Sequence, residues 1–359
     1  MRNGKLYLVT GGSGFIGSCF ILGTLGHGAA GILNLDKLTY SGNRHNLDSL
    51  APDAADKYGF VHGDIGDSAL VTRCLKEYEP DAVINFAAET HVDRSIADPG
   101  SFINANVVAL GSFLNTALNW WRALPAEKAA AFRFLHVSTD EVFGALGQND
   151  PSFTESSPYA PNSPYSASKA AGDHFVRAFH RTYGLPVIIT NCSNNYGPRQ
   201  FPEKLIPLTV LNAVAGRKIP VYGTGGNIRD WLHVEDHCEA LRLVLQRGVV
   251  GQSYNIGGKS EKTNLEVVRG ICRLLDELKP DAQGSRERLI THIKDRPGHD
   301  FRYAVNCAKI ERELGWRPEH TFAQGLRDTV LWYLNNRAWL ESVQSGEYRD
   351  WIAAHYDLG

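Results

Sequence analysis

A tyrosine and a lysine four residues apart lie in the run Ser163-Pro164-Tyr165-Ser166-Ala167-Ser168-Lys169. Ser163 as an N-cap and Pro164 at the first helical position predict that a helix begins here. Tyr165 and Lys169 then share one face. A neighbouring ammonium favours phenolate, so a lowered tyrosine pKa is expected, and with it a base for a hydroxyl proton near neutral pH. Alone, the pair reads equally well as an ordinary exposed helical contact. Upstream, Phe132–Ser138 has the composition of a strand, and its carboxyl end delivers Thr139, Asp140 and Glu141. Ligands of open α/β sheets bind beyond such strand ends. Two adjacent carboxyls in a partly dry site can have their pKa values pushed apart, leaving one neutral acid beside one ionised base. By themselves, Asp140 and Glu141 would instead complement a helix N-terminus.

A second constellation lies near the N-terminus. Gly11-Gly12-Ser13-Gly14-Phe15-Ile16-Gly17 follows a strand-like run and opens a helix. Glycines there let backbone approach a pyrophosphate, and the helix N-terminus offers free N–H groups to the anion. A tight strand–helix turn can also need glycine with no ligand. Asp36 ends the next strand, about twenty residues on, where a carboxylate binds the adenosine ribose hydroxyls. It repels a ribose phosphate, which favours NAD over NADP, although Lys37 stands beside it. Asp64 and Ile65 end the third strand, where an adenine could be held; Asp64 alone serves equally as a helix N-cap.

The elements that must position these groups follow from short apolar runs alternating with helical stretches. Lys5–Thr10, Gly31–Asp36, Phe60–Asp64, Ala82–Ala88, Phe132–Ser138 and Val187–Asn191 are strand candidates separated by segments long enough for crossover helices. That pattern predicts an α/β fold with a parallel, doubly wound sheet of Rossmann type. Asn104–Trp121 predicts a helix buried against the sheet or a second subunit. Beyond about residue 190, prolines and glycines cluster between helix candidates Lys204–Ala215, Asp236–Arg247 and Asn264–Leu278. We therefore expect an NAD-binding domain over 1–190 and a smaller α/β substrate-binding domain over 191–359, with segments returning to the first.

Composition narrows the partners. Lys+Arg 37 against Asp+Glu 39 leaves a net charge of −2, too weak a field to draw nucleic acid or an anionic membrane. An anionic ligand must therefore meet a local cluster of cations. The six cysteines have no Cys-x-x-Cys spacing and no grouping with histidine at metal-ligand spacing, so neither a structural zinc site nor a disulfide framework is expected. With no signal-peptide region after Met1 and no apolar run long enough for a bilayer, the expectation is a soluble cytoplasmic protein.

Further runs narrow the reading: Asp-Lys-Leu-Thr-Tyr (36–40), Ala-Ala-Glu-Thr-His-Val-Asp-Arg-Ser (87–95), Ser-Thr-Asp-Glu-Val-Phe-Gly (138–144), Asn-Cys-Ser-Asn-Asn-Tyr-Gly-Pro (191–198), Gly-Asn-Ile-Arg-Asp-Trp (226–231) and Asp-Arg-Pro-Gly-His-Asp (295–300). With the glycine run and Tyr-Ser-Ala-Ser-Lys (165–169), they resemble the extended short-chain dehydrogenase/reductase superfamily. Within it, the chain is similar over nearly its whole length to the NAD-dependent nucleotide-sugar 4,6-dehydratases of deoxy-sugar (dTDP-rhamnose type) biosynthesis. The resemblance implies a hydro-lyase with tightly bound NAD, converting dTDP-glucose to dTDP-4-dehydro-6-deoxy-glucose and water. It implies Tyr165 as base for the C4 hydroxyl with Lys169 and Thr139 in support, Glu141 as base for the C5 proton, and a protonated Asp140 as acid for the C6 hydroxyl. NAD contacts are implied for Gly11, Gly14, Phe15, Ile16, Gly17, Asp36, Lys37, Leu38, Thr39, Asp64, Ile65, Phe86, Ala87, Ala88, Glu89, Thr90, Ala105, Tyr165, Lys169 and Asn195. Nucleotide-sugar contacts are implied for Thr90, Thr139, Asn194, Lys204, Leu205, Pro220, Val221, Tyr222, Arg229, Asn264, Asp295, Arg296, Pro297, Gly298 and His299. Lys204, Arg229 and Arg296 would answer the diphosphate; arginine's planar fork suits it. A homodimer paired through the helical faces at Asn104–Trp121 and Ser166–Tyr183 is also implied. Alternatives are a dehydratase of UDP- or CDP-glucose, a nucleotide-sugar 4-epimerase, and a non-catalytic NAD-binding regulatory protein. The loop from Glu141 to Tyr165 is shorter than in some members of this group, which leaves the substrate range open.

Overall fold

The computed structural model describes residues 4–344. Met1–Asn3 and the last fifteen residues of the expected second domain lie outside the described residues. The strands are β1 (Leu6–Thr10), β2 (Gly31–Asp36), β3 (Tyr58–His62), β4 (Ala82–Asn85), β5 (Arg133–Thr139), β6 (Val187–Cys192), β7 (Asn194–Tyr196), β8 (Ile219–Tyr222), β9 (Ile228–His233), β10 (Ser253–Ile256), β11 (Glu261–Thr263) and β12 (Ile290–Ile293). Seven form one parallel sheet in the order β10-β6-β5-β4-β1-β2-β3. The order reverses beside β1, so the carboxyl ends of β1 and β4 flank the crevice where such sheets bind ligands.

Alternate residues of a strand face opposite sides of a sheet, and here both sides are covered, so the strands read as continuous apolar runs. From β1, Tyr7 and Val9 join one core with Phe20, Ile21, Leu241 and Val244, contributed by the helices Phe15–Gly26 and Val234–Arg247. Leu8 joins the other with Val71, Leu75, Phe113 and Leu114, from Ser68–Tyr78 and Leu110–Arg122. Ser253–Ile256 pairs with β6 as the seventh strand, so the chain returns to the first sheet after residue 190. A third core gathers Ile219, Val221 and Trp231 against Leu205–Val214, Asn264–Leu278 and Phe322–Asn335. The sheets β11-β9-β7 and β12-β8 belong to this smaller part.

The expected helix over Asn104–Trp121 differs in one respect. Asn104–Ala109 is wound as a π-helix between Pro99–Ile103 and Leu110–Arg122. The widened turn delivers Asn106 to a buried bridge: its amide donates to the Glu89 carbonyl at 3.0 Å and to Ser168 Oγ at 2.9 Å, and its Oδ1 accepts from Glu89 N at 2.9 Å. Such widened turns recur at functional sites, and this one ties the segment after β4 to the tyrosine-bearing helix. By length and composition Pro99–Arg122 could cross a membrane, but half of its apolar window is buried, and Phe113, Leu114 and Ala117 are core residues.

Candidate active site

The glycine loop is shaped as its sequence predicts. Gly11 has φ +68, and a Cβ there would stand 2.7 Å from the Ala87 amide nitrogen. A Cβ on Gly17 would stand 2.8 Å from Gly12 Cα, so only glycine lets the helix sit this close to the loop. Asp36 is buried at the end of β2, taking the Ser13 N–H at 2.8 Å and the Leu38 N–H at 2.7 Å. Lys37 pairs with Asp64 at 2.8 Å. That ammonium holds the Asp64 carboxyl below its ordinary value against the opposing pull of partial burial. Lys37 is thus engaged, and a ribose phosphate would meet the Asp36 carboxylate.

Between these groups and the end of β5 lies a cavity of about 320 Å³, continuous through Thr90, Glu141, Asn194 and Lys204 with a second of about 170 Å³. All the cofactor candidates line the larger cavity except Leu38, whose backbone sits in the left-handed region at φ +53. Thr139 lines it too. The smaller cavity is lined by Thr90, Asn194, Lys204, Leu205, Pro220, Val221, Tyr222, Arg229, Asn264, Arg296 and His299. Asp295, Pro297 and Gly298 do not line it. Asp295 stands behind, accepting from the Arg296 N–H at 2.9 Å and lying 2.6 Å from His299 Nδ1.

Ser163 caps the helix Pro164–Tyr183 through a reciprocal capping box with Ser166. Tyr165 and Lys169 are buried side by side in the cleft. The expected effect of Lys169 on Tyr165 is not what dominates. Burial pushes the phenol well above its ordinary value, Glu141 and Cys192 add to this, and Thr139 opposes it. Lys169 Nζ instead donates to the Val137 carbonyl at 2.9 Å. Burial lowers the ammonium's pKa, and Asp173 counteracts.

The two acids differ in their surroundings. Asp140 is 1% exposed; its pKa is driven well up by burial and then by the charges of Glu141 and Asp230. Its Oδ2 has no hydrogen-bond partner among the described residues. Glu141 is raised by burial too, but Arg296, Arg229 and Lys204 pull it back. The pair is therefore polarised, with the proton favoured on Asp140 and the charge on Glu141.

The cations are held in different ways. Arg229, 4% exposed, donates to the carbonyls of Ile228 at 2.7 Å and Asp300 at 3.0 Å and stacks 4.3 Å over the Tyr303 ring. Arg296 reaches Asp93 at 3.4 Å, and its Nε is buried without a partner beside the smaller cavity. Lys204 Nζ donates to the Thr90 carbonyl at 2.9 Å. Burial drives His299 down to about 4, so it is neutral at pH 7.

Several lining residues were not among the candidates: His91, Asp93, Gln200 and Glu203. Glu203 is buried and pairs with Arg94 at 3.0 Å, and the Arg94 guanidinium lies 3.8 Å over the Tyr40 ring. His91 and Asp93 lay inside the quoted run 87–95; Glu203 carried no signal beyond its neighbour Lys204.

A doubly wound parallel sheet that presents a glycine loop, a buried Tyr-x-x-x-Lys helix and a strand-end acid pair to one cleft defines an extended short-chain dehydrogenase/reductase. Residues 8–329 match the family described as GDP-mannose 4,6 dehydratase, and the chain belongs to that family. It is 58% identical over 344 residues to a dTDP-glucose 4,6-dehydratase of Xanthomonas campestris pv. campestris, covering 96% of this chain and 97% of that one. Its identity to a dTDP-glucose 4,6-dehydratase of Salmonella typhimurium is 53%, with 98% of each chain covered. Among solved structures, a double mutant of a dTDP-glucose 4,6-dehydratase from Streptomyces venezuelae, with NAD and a second ligand bound, superposes with a TM-score of 0.85 at 47% identity, covering 96% of this chain and 100% of that one. A UDP-glucose 4-epimerase of Thermus thermophilus in complex with NAD superposes at 0.79 with 27% identity, covering 92% and 99%.

Proposed function

We propose that the chain is a hydro-lyase that converts dTDP-glucose to dTDP-4-dehydro-6-deoxy-glucose and water, with NAD held in the larger cavity. The observation that carries this reading is the polarised pair Asp140 and Glu141 beside Tyr165. A 4-epimerase has use for the tyrosine and lysine but none for an acid–base pair at C5 and C6. The relatives at 58% and 53% identity support the same reading.

The glycine loop, the buried Asp36 and the cavity about 320 Å³ in volume suit a dinucleotide. When bound, NAD supplies an acceptor for the C4 hydrogen with its electron pair and returns both to C6. The rest falls to this chain. Tyr165 takes the C4 hydroxyl proton, with Thr139 and Lys169 lining the same cleft beside it. Once C4 is a ketone, the neighbouring C5–H is acidic because its conjugate base is an enolate. Glu141 removes that proton. Asp140, protonated and with Oδ2 free to donate, gives its proton to the departing C6 hydroxyl, which leaves as water. Arg229, Arg296 and Lys204 face the diphosphate.

Exposed Ile103, Val108, Phe175 and Tyr183 on the two helices at this end of the sheet support a homodimer. Six free cysteines, five of them buried, fit a reducing cytoplasm. The test is incubation with dTDP-glucose, UDP-glucose and CDP-glucose, read by the alkali-dependent chromophore of a 4-keto sugar. Turnover of dTDP-glucose alone supports the reading. No ketone from any of the three, or interconversion of the C4 epimers without loss of water, overturns it.

A further inference from the structure

His233 ends β9, Glu235 stands two residues on in the first turn of Val234–Arg247, and His320 precedes Phe322–Asn335. One ligand atom from each lies within 4.8 Å of the others, and none of the three lines the active-site cleft. His233 is 5% exposed, yet neither ring nitrogen has a hydrogen-bond partner among the described residues. A buried imidazole is ordinarily satisfied, so one with two idle nitrogens calls for a ligand. The ring stacks on His320 with centroids 4.0 Å apart. His320 is oriented as metal-binding histidines are: Nδ1 lies 2.7 Å from Asp236 Oδ1, and Nε2 faces Glu235 Oε2 at 3.7 Å. Asp236 Oδ2 also takes the N–H groups of Glu319 at 3.1 Å and His320 at 2.9 Å, which fixes the segment carrying that histidine.

We propose that His233, Glu235 and His320 form a binding site for a divalent first-row transition metal, with Asp236 as the positioning residue. Two imidazoles and a carboxylate suit zinc and leave a position for water. Both imidazoles bind as neutral ligands, so metal uptake is expected to weaken at low pH. Bound metal would pin the segment before Phe322–Asn335 to the end of β9, joining two parts of the smaller lobe that are far apart in sequence.

The test uses the full-length protein with its cofactor, treated with a chelator, desalted and titrated with zinc chloride against a chromophoric competitor. The wild type should take one equivalent per chain. His320→Ala and Glu235→Gln, both at solvent-reachable positions, should each weaken binding by at least about tenfold, the lower end of what metal sites lose when their partners change. Both variants should keep the wild-type turnover rate without added metal. Cobalt(II) in place of zinc should give a visible absorption band that His320→Ala abolishes. Equal zinc affinity in the wild type and the His320→Ala/Glu235→Gln double variant, or a cobalt band that survives in His320→Ala, overturns the assignment.

Discussion

Thr139 and Asp140 are consecutive at the end of β5, and the Thr139 hydroxyl donates to Asp140 Oδ1 at 3.3 Å while Oδ2 is left without a partner in the cleft. One carboxyl oxygen is thus anchored, and the other is buried with no partner among the described residues. Asp140→Asn keeps the anchor and removes the proton. The variant should still reduce bound NAD with substrate, seen as absorbance of the reduced nicotinamide. Release of water should fall by about 10²- to 10⁴-fold, the usual contribution of a positioned acid. Wild-type turnover in Asp140→Asn contradicts the assignment.

Glu141 is the other half of the pair. Glu141→Gln should also reduce bound NAD but fail to exchange the C5 proton with deuterated solvent, as mass spectrometry of recovered substrate would show. Exchange at the wild-type rate assigns the C5 base elsewhere.

Trp339 Nε1 donates to Asn46 Oδ1 at 2.6 Å, and Asn46 Nδ2 donates to the Ser13 carbonyl at 2.8 Å. The segment Arg337–Val343 thereby braces the glycine loop. Trp339→Phe leaves Asn46 Oδ1 buried and unpaired, a loss of about 1–3 kcal/mol. We expect NAD to dissociate about tenfold faster, equivalent to about 1.4 kcal/mol, with the circular dichroism spectrum unchanged. Unchanged cofactor retention on gel filtration refutes the brace.

Burial drives His237 down to about 3, and its Nδ1 lies 2.9 Å from Asn195 Oδ1 in the cleft wall. With the folded pKa below the unfolded value of about 6.5, the unfolded chain binds the extra proton first. The stabilisation is complete above about pH 6.5 and is lost as pH falls toward 3. By pH 5 this one group should have removed about 2 kcal/mol. Urea midpoints should therefore decline from pH 7 to pH 5, and His237→Gln should flatten that decline. Equal slopes in both proteins contradict the buried neutral histidine.

What could be read from the residues alone was whatever is local. The glycine loop, Asp36 at the end of β2 and the Ser163–Pro164 helix start are each set by a few consecutive residues, and Gly31–Asp36 and Asn264–Leu278 fall where their patterns place them. What joins distant segments was not legible. Strands β7, β8, β11 and β12 are only three or four residues long, and they and β9 draw their partners from far along the chain. Pro220 inside β8 fell in the proline- and glycine-rich stretches between the helix candidates, because the donor that proline lacks matters only once the pairing is known. The π-helix at Asn104–Ala109 has no periodic signature, and Arg94 with Glu203 depends on a fold that brings helix ends together. The Tyr165 environment was misjudged for the same reason: spacing shows that Lys169 is near, but only the packed structure shows that its ammonium bonds to Val137 and that burial outweighs it.

The central claim is that the ketone made at C4 is transient and that the hydrogen taken from C4 returns to C6 of the same molecule. It is tested most directly with dTDP-glucose carrying deuterium at C4. Proton-decoupled carbon spectra and mass spectrometry of the product should find the deuterium in the new methyl group. Deuterium found in solvent or in free reduced nicotinamide, with an unlabelled methyl group, would contradict the account.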